Sequence, residues 1–80
     1  MSSEYQEGID YIMLLNNNLG RTRQLQGFQW QLTQNGPPNA PVHHAIALLN
    51  GQVIGHSEGK SRNAAKRRAA FFALVHLRHL

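Results

Sequence analysis

Residues 51–74 read GQVIGHSEGKSRNAAKRRAAFFAL and carry three signals in order: a hairpin turn, a glycine-punctuated strand end and a capped helix. Asn50-Gly51 is the strongest short hairpin signal, because both central residues of a type I′ turn need positive φ. Gln52 to about His56 therefore pairs back on a strand over Val42–Leu49. Ser61 supplies an N-cap, and from Arg62 to about Leu77 there is neither Gly nor Pro. Ala64, Ala65, Ala69, Ala70 and Ala73 make this the strongest helix former in the chain. At 1.5 Å per residue it is roughly 24 Å long, enough to cross a three-stranded sheet. Its expected core-facing stripe is Ala65, Ala69, Phe72, Leu74 and Leu77.

Upstream, Phe28-Gln29-Trp30-Gln31-Leu32 alternates strictly, which places Phe28, Trp30 and Leu32 on one strand face. Between this strand and the next lies Asn35-Gly36-Pro37-Pro38-Asn39-Ala40-Pro41, whose prolines exclude helix and central strand. Farther upstream, Ile12, Leu15 and Leu19 recur at helical spacing over Ile9–Leu19, with Gly20 as the expected stop and Arg21–Gly27 as a polar linker. The order predicts an α+β fold, α-β-β-β-α: a three-stranded antiparallel sheet with two helices packed on one face. The domain is expected over residues 9–78, preceded by an N-terminal tail over residues 1–8.

Eighty residues suffice for one domain, which at this size buries only about 60–65 % of the surface of its unfolded chain. No apolar run approaches the roughly 20 residues of a membrane helix, the N-terminus lacks signal-peptide character, and cysteine is absent. These features predict an intracellular protein, cytoplasmic or nuclear, without disulfides or thiolate metal sites. Eight Lys and Arg face four acidic residues, a formal net charge of +4. Glu4, Glu7 and Asp10 lie in the first ten residues, whereas Lys60, Arg62, Lys66, Arg67 and Arg68 fall within nine. Such a cluster attracts polyanions through counterion release, although a solvated helix face has the same composition.

Position decides between those readings. The first turn of a helix leaves N–H groups unpaired and carries partial positive charge, which suits an anion. Lys60 sits beside the terminus capped by Ser61, and Arg62, Asn63 and Lys66 fan over one side of the first turn. A nucleotide-binding P-loop needs G-x-x-x-x-G-K-[ST]; here only three residues separate Gly55 from Gly59, and Ile54 stands where glycine is required. The parallel sheet of such a loop is also missing from the expected order.

The run from Gly36 to Leu74 resembles the C-terminal two-thirds of a double-stranded RNA-binding domain. That family runs roughly G-P-x-H-x-P, a strand, x-x-G-x-x-x-G-x-G-x-G-x-S-K-K-x-A-K, then A-A-x-x-A-L. The matching residues are Gly36, Pro37, Pro41, Gly51, Gly55, Gly59, Ser61, Ala65, Lys66, Ala69, Ala70, Ala73 and Leu74. The resemblance implies a non-enzymatic module that recognises A-form duplex by phosphates, shape and 2′-hydroxyls over about 16 base pairs. It assigns phosphate binding to Lys60, Ser61, Arg62, Asn63, Lys66 and Arg67. Minor-groove contacts fall to Asn17 and Arg21 on the first helix and to Pro37, Pro38 and Asn39 in the loop. Three departures predict weaker binding: Asn39 replaces the loop histidine, Asn63 the second lysine of the pair, and Asn17 the first-helix glutamate. The implied setting is a larger RNA-processing or RNA-silencing protein.

Other chemistries find little support. His43 and His44 are adjacent on a strand and point to opposite faces; His76 and His79 share a helix face without a carboxylate or thiolate beside them. No metal or cofactor is expected. Three of the four acidic residues lie near the N-terminus and the fourth, Glu58, lies in the basic loop, so neither a metal-binding carboxylate cluster nor a nucleophile–base pair forms. Aligned to the family, His43, Ala45, Ala47 and Leu49 face the helices. Val42, His44, Ile46 and Leu48, joined by Val53, then lie on the open sheet face, which antiparallel sheets usually keep polar. That pattern motivates the alternative function: a protein–protein or homodimerisation module, using these five residues, with weak or no RNA binding.

Overall fold

The computed structural model describes residues 4–80; residues 1–3 of the expected tail lie outside the described residues. The elements run α1 (Tyr11–Arg21), a 3₁₀ turn (Leu25–Gly27), β1 (Phe28–Asn35), β2 (Val42–Leu49), β3 (Gln52–Gly59) and α2 (Arg62–His76). The strands form one antiparallel sheet in the order β1-β2-β3, so the α-β-β-β-α fold stands as expected. No helix among the described residues is long and apolar enough to cross a membrane.

The β2–β3 hairpin follows from its turn. Asn50 and Gly51 both adopt positive φ, +52° and +82°, and the turn matches the right-handed twist of the strands. β1 and β2 pair without interruption from Phe28↔Leu49 to Asn35↔Val42. β3 runs on to Gly59, past the expected end near His56, and carries a bulge between its pairings with Ala47 and Leu48. The extra residue, Ile54, is buried in the core.

α1 departs from expectation at both ends. It starts after Asp10, whose Oδ1 accepts the Met13 N–H at 3.0 Å, so Ile9 precedes the helix. Gly20 does not stop it; the helix passes through Gly20 to Arg21. Termination is a Schellman motif in which Arg23, at φ +58°, takes the left-handed position. The Gln24 N–H donates to Leu19 O at 2.8 Å and the Arg23 N–H to Gly20 O at 3.3 Å. α2 ends likewise at Arg78 (φ +63°), with the His79 N–H donating to Leu74 O at 2.9 Å.

Both helices cover one sheet face, and α2 lies over β2 and β3. The core joins Tyr11, Leu15 and Leu19 of α1 to Ala47, Leu49 and Ile54 of the sheet and Ala70, Phe71, Ala73 and Leu74 of α2. The expected stripe on α2 is corrected in one place: Phe72 is 48 % exposed, and Phe71 is the buried ring at 5 %. One residue turns a helix by about 100°, and an alanine-rich helix leaves two adjacent stripes nearly equivalent in sequence. The core resolves the choice, because Phe71 meets Tyr11 and Tyr5 edge-on at ring separations of 5.1 and 5.6 Å.

That assignment is directly testable. Phe71→Ala is expected to cost about 3–5 kcal/mol, and Phe72→Ala less than about 1 kcal/mol, by urea denaturation. Equal losses would contradict the packing.

Candidate nucleic-acid interface

The N-terminus of α2 is set by its cap. Ser61 adopts an extended backbone (φ −141°, ψ 162°), and its Oγ accepts the Ala64 N–H at 3.1 Å. The capping bond fixes the direction in which Lys60, Arg62 and Asn63 leave the turn, and all three are exposed.

Two hollows flank this terminus. On one side, Asn63 and Arg67 of α2 and Met13, Asn16 and Asn17 of α1 line a groove of about 640 Å³, with Gly8 to Asp10 at its end. On the other, Arg62 lines a hollow of about 300 Å³ with Leu32, Thr33, Gln34 and His43, the residues that lead into and out of the β1–β2 loop. Pro37, Pro38 and Asn39 are exposed in that loop, which is held by the Ala40 N–H donating to Pro37 O at 3.0 Å. The helix terminus thus stands between α1 and the root of the loop.

The basic residues farther along α2 are engaged within the molecule. Lys66 is half-buried, its Nζ 5.3 Å from the centre of the Trp30 ring, a cation–π contact that holds the ammonium beside the sheet. Arg67, assigned to phosphate from sequence, donates from its guanidinium to the Glu7 carbonyl. Arg68 stacks its guanidinium 5.1 Å from the Tyr5 ring. Tyr5 itself lies 5.1 Å from Tyr11, whose hydroxyl accepts the Gln6 N–H at 2.8 Å. Tyr5 and Glu7, within the stretch read as tail, therefore pack onto α1 and α2. Composition gave no sign of this, since the stretch has a single aromatic residue among polar neighbours.

Asn17 and Arg21 separate. Asn17 lines the groove beside Asn63, whereas Arg21 lies at the other end of α1, beside His79 and Leu80. Asn16 joins Asn17 in the groove and was missed from sequence; an unbroken Asn16-Asn17-Asn18 run gives no hint of which amide faces where. Asn18 is buried, with Oδ1 unpartnered. On the open sheet face Val42, His44, Ile46 and Leu48 are half-buried and Val53 is exposed. His44 is held by Asn35 Oδ1 at 3.2 Å and Glu58 at 3.6 Å. Among the described residues no group of three or more His, Asp or Glu side chains is placed to hold a metal ion.

The geometry defines a class: an α-β-β-β-α domain presenting a capped, basic helix terminus between a polar helix and a proline-containing loop. No family model matches the chain. It is 31 % identical to ribonuclease 3 of Listeria welshimeri over 98 % of this chain and 34 % of that protein. Ribonuclease 3 of Listeria monocytogenes serotype 4a is also 31 % identical, over 94 % of this chain and 33 % of its own length. The RNA-binding protein OPG065 of monkeypox virus is 29 % identical over 88 % of this chain and 44 % of its length. The chain spans about a third of the length of the ribonuclease relatives it matches.

The packing of the N-terminal segment can be checked without any ligand. Tyr5→Ala removes two ring contacts and the Arg68 stack, and is expected to lower stability by about 1–3 kcal/mol. A change below about 0.3 kcal/mol in urea denaturation would mean that the segment adds nothing to the fold.

Proposed function

We propose that this chain is a double-stranded RNA-binding domain, a non-catalytic module of a larger intracellular RNA-processing or RNA-silencing protein. One observation carries the reading: α2's N-terminus, with Lys60, Arg62 and Asn63 exposed, is flanked by the Asn16–Asn17 face of α1 and by the root of the β1–β2 loop. A rigid duplex needs contacts at matched separations. Phosphates suit the cationic terminus, and 2′-hydroxyls in the wide minor groove suit the amides of Asn16 and Asn17 and the loop's Asn39. Similarity to ribonuclease 3 and to an RNA-binding protein supports the same reading.

In this reading Lys60 and Arg62 are the principal phosphate ligands, with Asn63 beside them and the Ser61-capped turn supplying partial positive charge. Lys66 contributes from a fixed position over Trp30. Arg67 acts mainly in holding Glu7 and reaches RNA less directly. The second reading, docking or homodimerisation through Val42, His44, Ile46, Leu48 and Val53, has weaker support: four of the five are half-buried, and His44 is engaged by Asn35 and Glu58.

The test is a titration with a ~20-base-pair RNA duplex and the DNA duplex of the same sequence, at two salt concentrations. The domain is expected to bind RNA far more tightly than DNA, with affinity falling as salt rises. Replacing Arg62 and Lys66 together with alanine is expected to reduce the slope of log K against log salt by about 1–2. Absence of RNA binding at low salt would overturn the reading.

A further inference from the structure

The outer edge of β1 is unpaired among the described residues. β1 ends the sheet, and among the described residues no strand lies beyond it. Soluble proteins usually guard such an edge with charges, proline, a bulge or a covering helix. Residues 28–35, FQWQLTQN, contain no charge and no proline, and their pairing with β2 shows no bulge. The opposite edge, β3, is bulged at Ile54, carries Glu58 and lies under α2.

The register shows which backbone groups are free to pair. The Asn50 N–H donates to Gly27 O at 2.8 Å, making Gly27 and Asn50 a hydrogen-bonded position of the ladder. Antiparallel ladders alternate, so Gln29, Gln31 and Thr33 direct their N–H and C=O groups toward β2. Phe28, Trp30, Leu32 and Gln34 direct theirs outward. The first three of these also form the row that the helices leave half-covered; Leu32 is 38 % exposed. One strand therefore offers unpaired backbone groups and incompletely buried apolar side chains at the same residues.

We infer that β1 is a self-association edge whose occupant is β1 of a second copy of this chain, antiparallel about a two-fold axis at Gln31. The outward-directed residues then pair with one another: Phe28 with Gln34 of the second copy, and Trp30 with Leu32. Each match occurs twice by symmetry, the two three-stranded sheets become one of six strands, and the Trp30–Leu32 row gains an apolar neighbour on the helix side. The Gln29–Gln31–Thr33 row meets its own copy on the other face, neutral polar against neutral polar. A seven-residue overlap is only about 23 Å long and buries less than the roughly 800 Å² per partner of a standard interface. The dimer is accordingly weak.

Sedimentation equilibrium up to about 1 mM tests this, using the wild type, Gln31→Lys, Gln31→Glu, and the two variants mixed in equal amounts. Gln31 is exposed, and at the axis it lies opposite itself, so either variant sets like charges face to face. The wild type is expected to dimerise reversibly, each variant at least about tenfold more weakly, and the mixture to recover association. Recovery in the mixture also shows that both variants are folded. A wild type that stays monomeric, or variants that associate as it does, would overturn the inference. So would loss of association in the open-face variant Ile46→Ser/Leu48→Ser alone, which would place the interface on the other surface.

Discussion

The close seating of α2 on β3 is the constraint on which the other features depend. A Cβ added at Gly55 would stand 2.3 Å from Ala69 O and 2.8 Å from Ala73 N, and one at Gly59 would stand 2.9 Å from Ala65 N. These are contacts with helix backbone, which cannot swing aside as a long side chain does. Across from the two glycines, Ala65, Ala69 and Ala73 are fully buried and recur every four residues. Small residues on both elements bring the helix nearly onto the strand. That approach fixes the height and direction of α2, and hence where Ser61 begins it and where Lys60, Arg62 and Asn63 project. The glycines that lead into the basic cluster in the sequence are therefore structural, and act on the site by placing the helix.

Local signals carried most of the fold. Asn50-Gly51 has the two positive φ values its turn requires, Ser61 caps the helix it precedes, and β2 has the expected bounds. What escaped was decided by tertiary contact. Gly20 was a reasonable stop, but the chain places the left-handed residue three positions later, at Arg23, where Gln24 can bond back to Leu19. The left-handed conformation of an arginine costs about 1–2 kcal/mol, which closing the α1 end offsets. Phe71 and Phe72 differ in sequence only by one helical step, and the aromatic cluster with Tyr5 and Tyr11 chose between them.

The candidate site was legible in residue identity and less so in arrangement. Lys60, Arg62 and Asn63 emerge where a capped helix start puts them. The charges farther along α2 do not act alike: Lys66 rests on Trp30, Arg67 on the Glu7 carbonyl and Arg68 on Tyr5. Counting cations along the sequence therefore overstates those that project freely at the helix terminus. Cation–π and backbone contacts depend on chain segments distant in sequence, Trp30 in a strand and Tyr5 before the first helix, and no spacing rule along α2 reveals them. Asn16 and Asn17 add polar surface there, since they line the same groove as Asn63.

In the proposed function RNA meets the α2 terminus, the polar face of α1 and the β1–β2 loop together, on one side of the molecule. Backbone amide NMR shifts recorded while a ~20-base-pair RNA duplex is added would map these contacts residue by residue. Changes are expected at residues 16–17, 36–40 and 60–66, with Val53 and His56 on the open sheet face unmoved. Changes centred on that open face, or confined to α2 with none in α1 and the loop, would contradict it.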